Sequence, residues 1–353
     1  MLELTVVMSV YNGGSYLIPA LESILTQSIR DFEFLIVDDG STDGTTRILE
    51  EYARRDSRIT LIRQENAGTI ASLIKACALV TTPYIARMDA DDISATDRFE
   101  RQLDFLERNR EVALLGGAAE YINDAGEVLS TCEFPTSDGD IRARLATGNV
   151  FVSSAVVMRR DAALMVGGYR RAFLYAEDYD LWLRIAERHQ VANLAEVLVS
   201  YRVHPKQATT KGLEQQLLSA IGARMSAKMR QTLGEDPFES TAPVSREQLC
   251  RLGVASSEIE EQLGKAYAAW AEIVRQAGYY ERAATLATEA RRQGGAGVLT
   301  RKKLAQFYIA YARASALEGR VLQGAVQATR AVWLHPALLL RLFRKYLGKA
   351  IGR

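Results

Sequence analysis

The chain opens with apolar runs of strand length that alternate with segments of helical spacing. Leu4–Val10 is almost continuously apolar, as expected of a buried parallel strand. Tyr11–Gly14 is a turn, and Leu17, Leu21, Ile24 and Leu25 then fall on one face of a helix over Tyr16–Thr26. The alternation repeats. Phe32–Val37, Ile59–Ile62 and Pro83–Ala86 are predicted as strands, and Thr45–Arg54, Ile70–Val80 and Asp97–Asn109 as helices. Strands separated by single helices imply a parallel sheet covered on both faces, an α/β doubly wound arrangement. From Val112 the order changes: Val112–Ile122, Val150–Met158 and Val197–Val203 have strand character. Leu181–Glu187 is helical, and turns are predicted at Asn123–Gly126 and Gly167–Gly168.

After His204-Pro205 only helical periodicity is found. Residues 1–210 therefore form an α/β domain, 211–245 a helical linker and 246–353 an α-helical domain, with breaks at Glu235–Pro237 and Thr241–Pro243. Small residues recur at Gly264, Gly278, Ala283 and Ala290, and again at Gly319, Gly324 and Ala331 before Pro336. The spacing is similar to that of tetratricopeptide hairpins, although alanine-rich helices also produce it. Ala337–Arg353 carries five basic and no acidic residues among leucines and aromatics. It is predicted to be a basic amphipathic helix, suited either to an anionic membrane surface or to docking on its own domain.

Charge sharpens this division. The formal net charge of +1 conceals a net of −9 over residues 1–210 and +10 over the remainder. An acidic half would hold the chemistry, and a basic half would meet an anionic surface or partner. Cys77, Cys132 and Cys250 are too few and too scattered for a disulfide framework, which fits a cytoplasmic setting. Leu4–Val10 is too short for a secretory signal, and no run reaches membrane-spanning length. A protein that is cytoplasmic, or peripheral on the inner face of the plasma membrane, is expected.

The densest chemistry is Arg87-Met88-Asp89-Ala90-Asp91-Asp92, where three carboxylates arrive just after a predicted strand. Crowded carboxylates repel and raise one another's pKa unless a cation is present. Mg²⁺ and Mn²⁺ accept such oxygens and take water and phosphate as further ligands. An acidic cap on the following helix explains the stretch equally well when it is read alone. The loops after the first four strands would share one sheet edge, bringing Tyr11 and Asn12, Asp38 and Asp39, Asn66, and Asp89 and Asp91 together. Tyr11 offers a ring face to a base, and Asp38 or Asp39 can accept from a base edge or ribose hydroxyl. The sequence has neither a Gly-x-Gly-x-x-Gly nor a P-loop, so a metal-bound diphosphate is favoured over a backbone-cradled one.

Val37–Asp43, Ala86–Asp92 and Ala176–Trp182 resemble, in order and spacing, the three signature stretches of family 2 glycosyltransferases, and the resemblance covers about residues 3–210. It implies a GT-A fold and inverting, hexosyltransferase-type chemistry from a nucleotide-diphosphate sugar with a divalent metal, Mn²⁺ or Mg²⁺. By the same resemblance Tyr11 and Asp39 would contact the base, Asp89 would lie near the ribose, Asp91 would bind metal and Asp178 would be the general base. Asn12, Asp38, Asn66, Arg87 and Glu177 join them as candidate nucleotide-sugar contacts. Tyr201–Pro205 is similar to the segment that closes many such domains.

Leu73 and Ile74 stand where the family often has Arg and Asn, which leaves the base open. The Gln-x-x-Arg-Trp motif of processive synthases is absent, which favours transfer of a single sugar. Glu177 and Asp178 could instead cap the helix that follows. Asp180 is the expected first-turn acid, Trp182 is expected in the core, and His189 and His204 are expected to be structural. The expected function is sugar transfer to a growing, lipid-linked glycan in bacterial surface polysaccharide synthesis, without nucleic acid. The competing class is a non-catalytic nucleotide-sugar-binding scaffold that recruits partners through its helical tail. A nucleotidyltransferase would need a basic Gly-rich first loop, and Tyr11–Gly14 has no Lys or Arg.

Overall fold

A computed structural model describes residues 3–205, 207, 212–238 and 242–337. Its centre is a nine-stranded mixed sheet. The strands are β1 (Leu4–Val10), β2 (Glu33–Asp38), β3 (Ile59–Arg63), β4 (Tyr84–Asp89), β5 (Ile93–Ser94), β6 (Val112–Ile122), β7 (Val128–Cys132), β8 (Val157–Arg159) and β9 (Gln190–Arg202). Their order is β3-β2-β1-β4-β8-β6-β9-β5, with β7 added on β6. The first four strands run parallel, and β8 turns antiparallel between β4 and β6. Helices α1 (Leu17–Leu25), α2 (Thr45–Arg55) and α3 (Thr69–Leu79) make the crossovers. β1 lies between β2 and β4 with both faces covered, which is why its sequence is nearly all apolar.

Three differences from the sequence-based expectation have physical causes. β4 does not stop at Ala86 but continues through Arg87 to Asp89, pairing Arg87 with Val7 and Asp89 with Ser9. A buried arginine inside a central strand defeats a reading based on apolar runs. The strand expected over Val150–Met158 is a 3₁₀ turn at Ser153–Ala155 followed by a short β8. Val150 and Phe151 are buried as loop residues, and periodicity cannot separate a buried loop from a buried strand. β9 begins at Gln190 rather than Val197, and its parallel register with β6 shifts at three points, which breaks the alternation. β7 and the short helices α5 (Asp138–Leu145) and α6 (Arg160–Met165) carry little apolar pattern, although Ser137 caps α5 by accepting from Asp140 N.

The chain divides into two compact units: residues to 202 together with 218–245, and 203–217 together with residues from 246 onward. In the first, α7 (Glu177–Ala186) is anchored by a buried carboxylate. Asp180 is fully buried and binds Arg170, and Arg184 reaches it at 2.6 Å. Arg170 also reaches Asp236 at 2.6 Å, and Arg230, on α8 (Leu213–Leu233), joins Asp236 at 2.6 Å and Glu187 at 2.5 Å. Asp180 is the first-turn acid that was expected and is also the hub of a buried ion network, and Trp182 is core as expected. In the second unit, α9 (Arg246–Arg251) precedes four longer helices, α10 (Ser256–Gln276), α11 (Tyr280–Val298), α12 (Arg301–Leu317) and α13 (Val321–Leu334). Gly264 lets α10 approach α11 so closely that a Cβ there would sit 2.5 Å from Gly294 Cα. Among the described residues no strand follows Arg202, and no helix is long and apolar enough to cross a membrane. The basic segment predicted from Ala337 lies, beyond that residue, outside the described residues.

Removing Asp180 would leave Arg184 buried without its carboxylate. Asp180→Ala should cost about 3–5 kcal/mol, the usual loss on breaking a buried pair. A clear fall in melting temperature checks this; an unchanged midpoint would contradict it.

Candidate active site

Parallel pairing brings the carboxyl ends of β1, β2, β3 and β4 to one edge, and the loops there are stitched to each other. Asn12, at φ 54°, accepts from Thr42 N at 2.7 Å and donates its own backbone N–H to Ser41 Oγ at 3.0 Å. Gly13 N donates to Thr45 Oγ1 at 2.9 Å. Tyr11, beside them, is 51% exposed. Asp38 accepts from Ser41 N and from Thr46 Oγ1, at 3.1 and 2.5 Å. Asp39 accepts from Gln64 Nε2, Ala67 N and Gly68 N at 2.7, 2.9 and 2.8 Å. Both carboxylates are buried and work as loop anchors. Gly40 is required between these loops: its φ is +77°, and a Cβ would come within 2.8 Å of Asn66 N. The exposed Asn66 and Asp38, Gly40, Ser41 and Gln64 line an open cleft of about 640 Å³.

At the end of β4 one buried guanidinium organises the acids. Arg87 donates to Val7 O at 3.0 Å and to Asp89 Oδ1 at 2.8 Å. Asp89 N donates to Ser154 Oγ at 3.2 Å, and Ser154 lies 2.5 Å from Asp92 Oδ2. Asp92 is buried and also accepts from Arg202 N at 2.9 Å. Burial, then the charges of Asp91 and Asp89, hold its carboxyl well above the ordinary range. Arg202 donates through Nε to Asp91 O at 3.0 Å and stacks on the Tyr16 ring. The acids therefore do not cap the next helix. That helix, α4 (Arg98–Arg108), starts beyond them, and Asp97 makes no side-chain cap bond.

Glu177 and Asp178 open α7 and are recessed beside this cluster. Asp178 accepts from Ser153 Oγ at 2.6 Å and from Tyr179 N at 2.6 Å, with Asn149 Nδ2 at 3.4 Å. Burial raises its pKa, and the nearby Asp89 raises it further. Burial and Asp178 push Glu177 up to about 8. Ser153, Ser154 and Arg202 complete the site; sequence reasoning misses both serines and singles out Arg202 only as part of Tyr201–Pro205, without a role in the site. Polar residues inside a buried run are the only signal for the serines. The structure thus places Asp89, Asp178, Glu177 and Arg87 in one electrostatic cluster, with Asp91 beside Asp92. Tyr11, Asn12, Asp38, Asp39 and Asn66 lie along the adjoining loops.

A hard divalent ion at this edge would have few protein ligands. Asp89 and Asp92 are committed to Arg87, Ser154 and Arg202, and Asp91 is half-buried. Among the described residues no three acidic, His or Cys side chains form a cage. Such an ion takes the balance of its ligands from water and phosphate.

Comparisons with known proteins agree with this fold. The sequence model described as "Glycosyl transferase family 2" matches residues 5–164. The putative glycosyltransferase EpsE of Bacillus subtilis is 35% identical over 209 residues, 57% of this chain and 73% of its own length. The amylovoran biosynthesis glycosyltransferase AmsE of Erwinia amylovora is 33% identical over 56% of this chain and 75% of its own length. The O-antigen biosynthesis glycosyltransferase WbnJ of Escherichia coli is 29% identical over 64% and 90%. Among solved structures, residues 1–349 of S. aureus TarS with UDP-GlcNAc superpose with a TM-score of 0.52 at 12% identity, covering 96% of this chain and 92% of that one. The longer TarS chain is covered over 55% of its length. The mannosyltransferase PcManGT of Pyrobaculum calidifontis, with GDP-Man and Mn²⁺, gives a TM-score of 0.51 at 16% identity, over 97% and 88%. The fold is the GT-A arrangement expected from the sequence, followed by an all-helical region.

A carboxyl raised to about 8 binds a proton in the folded chain that it releases on unfolding. Stability should therefore decline as pH rises from about 4.5, the unfolded value, to about 8. Glu177→Gln, which cannot ionise, should flatten that decline. Melting temperatures of both proteins across this range test it, and parallel curves would contradict it.

Proposed function

This chain belongs to glycosyl transferase family 2, and from that membership we propose that it transfers one sugar from a nucleotide-diphosphate sugar to an acceptor hydroxyl, with inversion, in bacterial surface polysaccharide synthesis. The observation that carries the proposal is that acids from separate elements come within electrostatic reach of each other: Asp89 at the end of β4, and Asp178 at the start of α7. Asp178 takes the proton of the attacking hydroxyl, a role typically worth about 10²–10⁴ in rate. Its raised pKa makes it a stronger base than an ordinary carboxylate, and Ser153 and Tyr179 N fix its orientation. Asp91, with Asp89 beside it, would hold Mn²⁺ or Mg²⁺. The ion supplies positive charge against the departing diphosphate.

The base would enter the cleft between the β2–α2 and β3–α3 loops, against Tyr11. A carboxylate has about four acceptor positions, and Asp39 uses three on its own loops. One remains for a base N–H. Asn12, Asp38 and Asn66 shape the loops around it, and Arg87 fixes Asp89. The acceptor would be a lipid-linked glycan at the inner face of the plasma membrane, a reading supported by the basic charge of Ala337–Arg353.

Thermal-shift binding of a panel of nucleoside diphosphates, with and without Mn²⁺, tests the donor site. One base should give a metal-dependent shift that Asp91→Ala abolishes; no shift for any nucleotide from a folded protein would refute it. Asp178→Asn should retain that shift yet lose at least about 10²-fold in sugar transfer. For the membrane, full-length chain should sediment with anionic vesicles and not with neutral ones, and equal negligible binding to both would sink that part.

A further inference from the structure

Helix α13 turns its large apolar residues outward. It packs on α12 through small or polar ones: Gly324, Gln327 and Ala331 are buried, and a Cβ at Gly324 would come within 2.9 Å of Ala312 O. Gln323 donates to Tyr311 Oη, and Arg330 stacks over the Tyr308 ring at 5.9 Å. Leu322, Val326 and Trp333 fall on the opposite side, at positions i, i+4 and i+11 of one stripe, and are 86%, 51% and 78% exposed. Leu317 and Val321 extend the exposed apolar surface to the turn from α12. A helix that is apolar on both sides belongs in an interior. A lone exposed leucine needs no explanation, but a continuous row of apolar side chains marks a surface that something covers.

Three kinds of occupant compete for this stripe: an anionic lipid surface, a second copy of the chain, and the residues that follow α13. A helix that lies on anionic lipid carries lysines and arginines on its polar side. The single charged side chain of α13, Arg330, is instead turned back onto Tyr308. A second copy would have to displace a segment tethered just beyond α13, whose effective concentration is in the millimolar range. That segment has the matching chemistry. On a helix, Leu339, Phe343, Tyr346, Leu347 and Ala350 share one side, and Arg341, Arg344, Lys345 and Lys349 the other. Its length matches too. Residues 338–353 would make a helix of about 24 Å, against about 21 Å for the 14 residues of α13. The connection follows the rule of this unit: α10 to α13 each pack on the next across the short turns 277–279, 299–300 and 318–320, and His335-Pro336 is the next break.

We infer that residues 338–353 fold back as a helix along α13, laying Leu339, Phe343 and Leu347 against Trp333, Val326 and Leu322. The basic side of that helix then faces outward, so the contact with an anionic surface proposed above is made by charge and not by inserted leucines.

Trp333 reports on the stripe. Trp182 is buried and Trp270 half-buried, so the full-length chain carrying Trp270→Phe leaves Trp333 as the indole to be judged by acrylamide quenching. Without lipid, Trp333 should be shielded from quencher at every protein concentration. Phe343→Asp with Leu347→Asp should remove the shielding, as should Leu322→Asp on α13 itself, while Lys345→Glu on the opposite side leaves it intact. Free quenching of the parent would overturn the inference, and that measurement needs no change in the segment. Shielding that grows with protein concentration would assign the stripe to a second copy, and shielding that appears only with anionic vesicles would assign it to the membrane; either result overturns the inference. So would shielding that survives the paired aspartates, or that Lys345→Glu removes.

Discussion

A guanidinium buried on a central strand of a mixed sheet has to be paired, because an isolated charge in that environment is prohibitively costly. Arg87 meets that condition with Val7 O and Asp89, and the rest of the site follows from how it does so. Its charge allows Asp89, Glu177 and Asp178 to gather within electrostatic reach of one another. Arg98, also buried, adds a second positive charge within reach of Asp89 and Asp92. Burial first, and then the crowding of the acids, raises the pKa values of Asp92, Glu177 and Asp178.

The second requirement is rigidity, and a different carboxylate supplies it. Asp180 lies just beyond Asp178 on α7 and holds Arg170 and Arg184. Through them it fixes the Gly167–Gly168 turn, and through Asp236 and Arg230 it ties in the segment of α8 that belongs to the first unit. The cost of gathering acids at the start of α7 is thus met by an ion network just beneath it. A carboxylate fixed by its surroundings before a substrate arrives needs little reorganisation in any reaction it serves.

Most of the parallel half of the sheet and its crossovers can be read from the chain. β1 to β3 and α1 to α4 fall within a residue or two of their predicted positions, because each carries a clean apolar period and a polar or glycine stop. The acidic stretch and the carboxylates of Ala176–Trp182 are legible too, since acids that crowd together repel and persist only where a cation or a buried network stabilises them. The antiparallel strands are less visible. Polar satisfaction, register shifts and short lengths replace periodicity in β7, β8 and the first half of β9.

The sequence by itself determined the alternation of strands and helices, the loops that would share an edge, and the acids that would stand there, because these depend on local spacing and composition. Tertiary structure alone decided how each acid is held. Asp180 became a buried hub, and Asp92 a protonation-shifted carboxyl held by Ser154 and Arg202. The partners that fix these carboxylates include Arg170, 10 residues from Asp180, and Arg202, 110 residues from Asp92. Burial and pairing across such distances are properties of the packed sheet, and no local pattern encodes them.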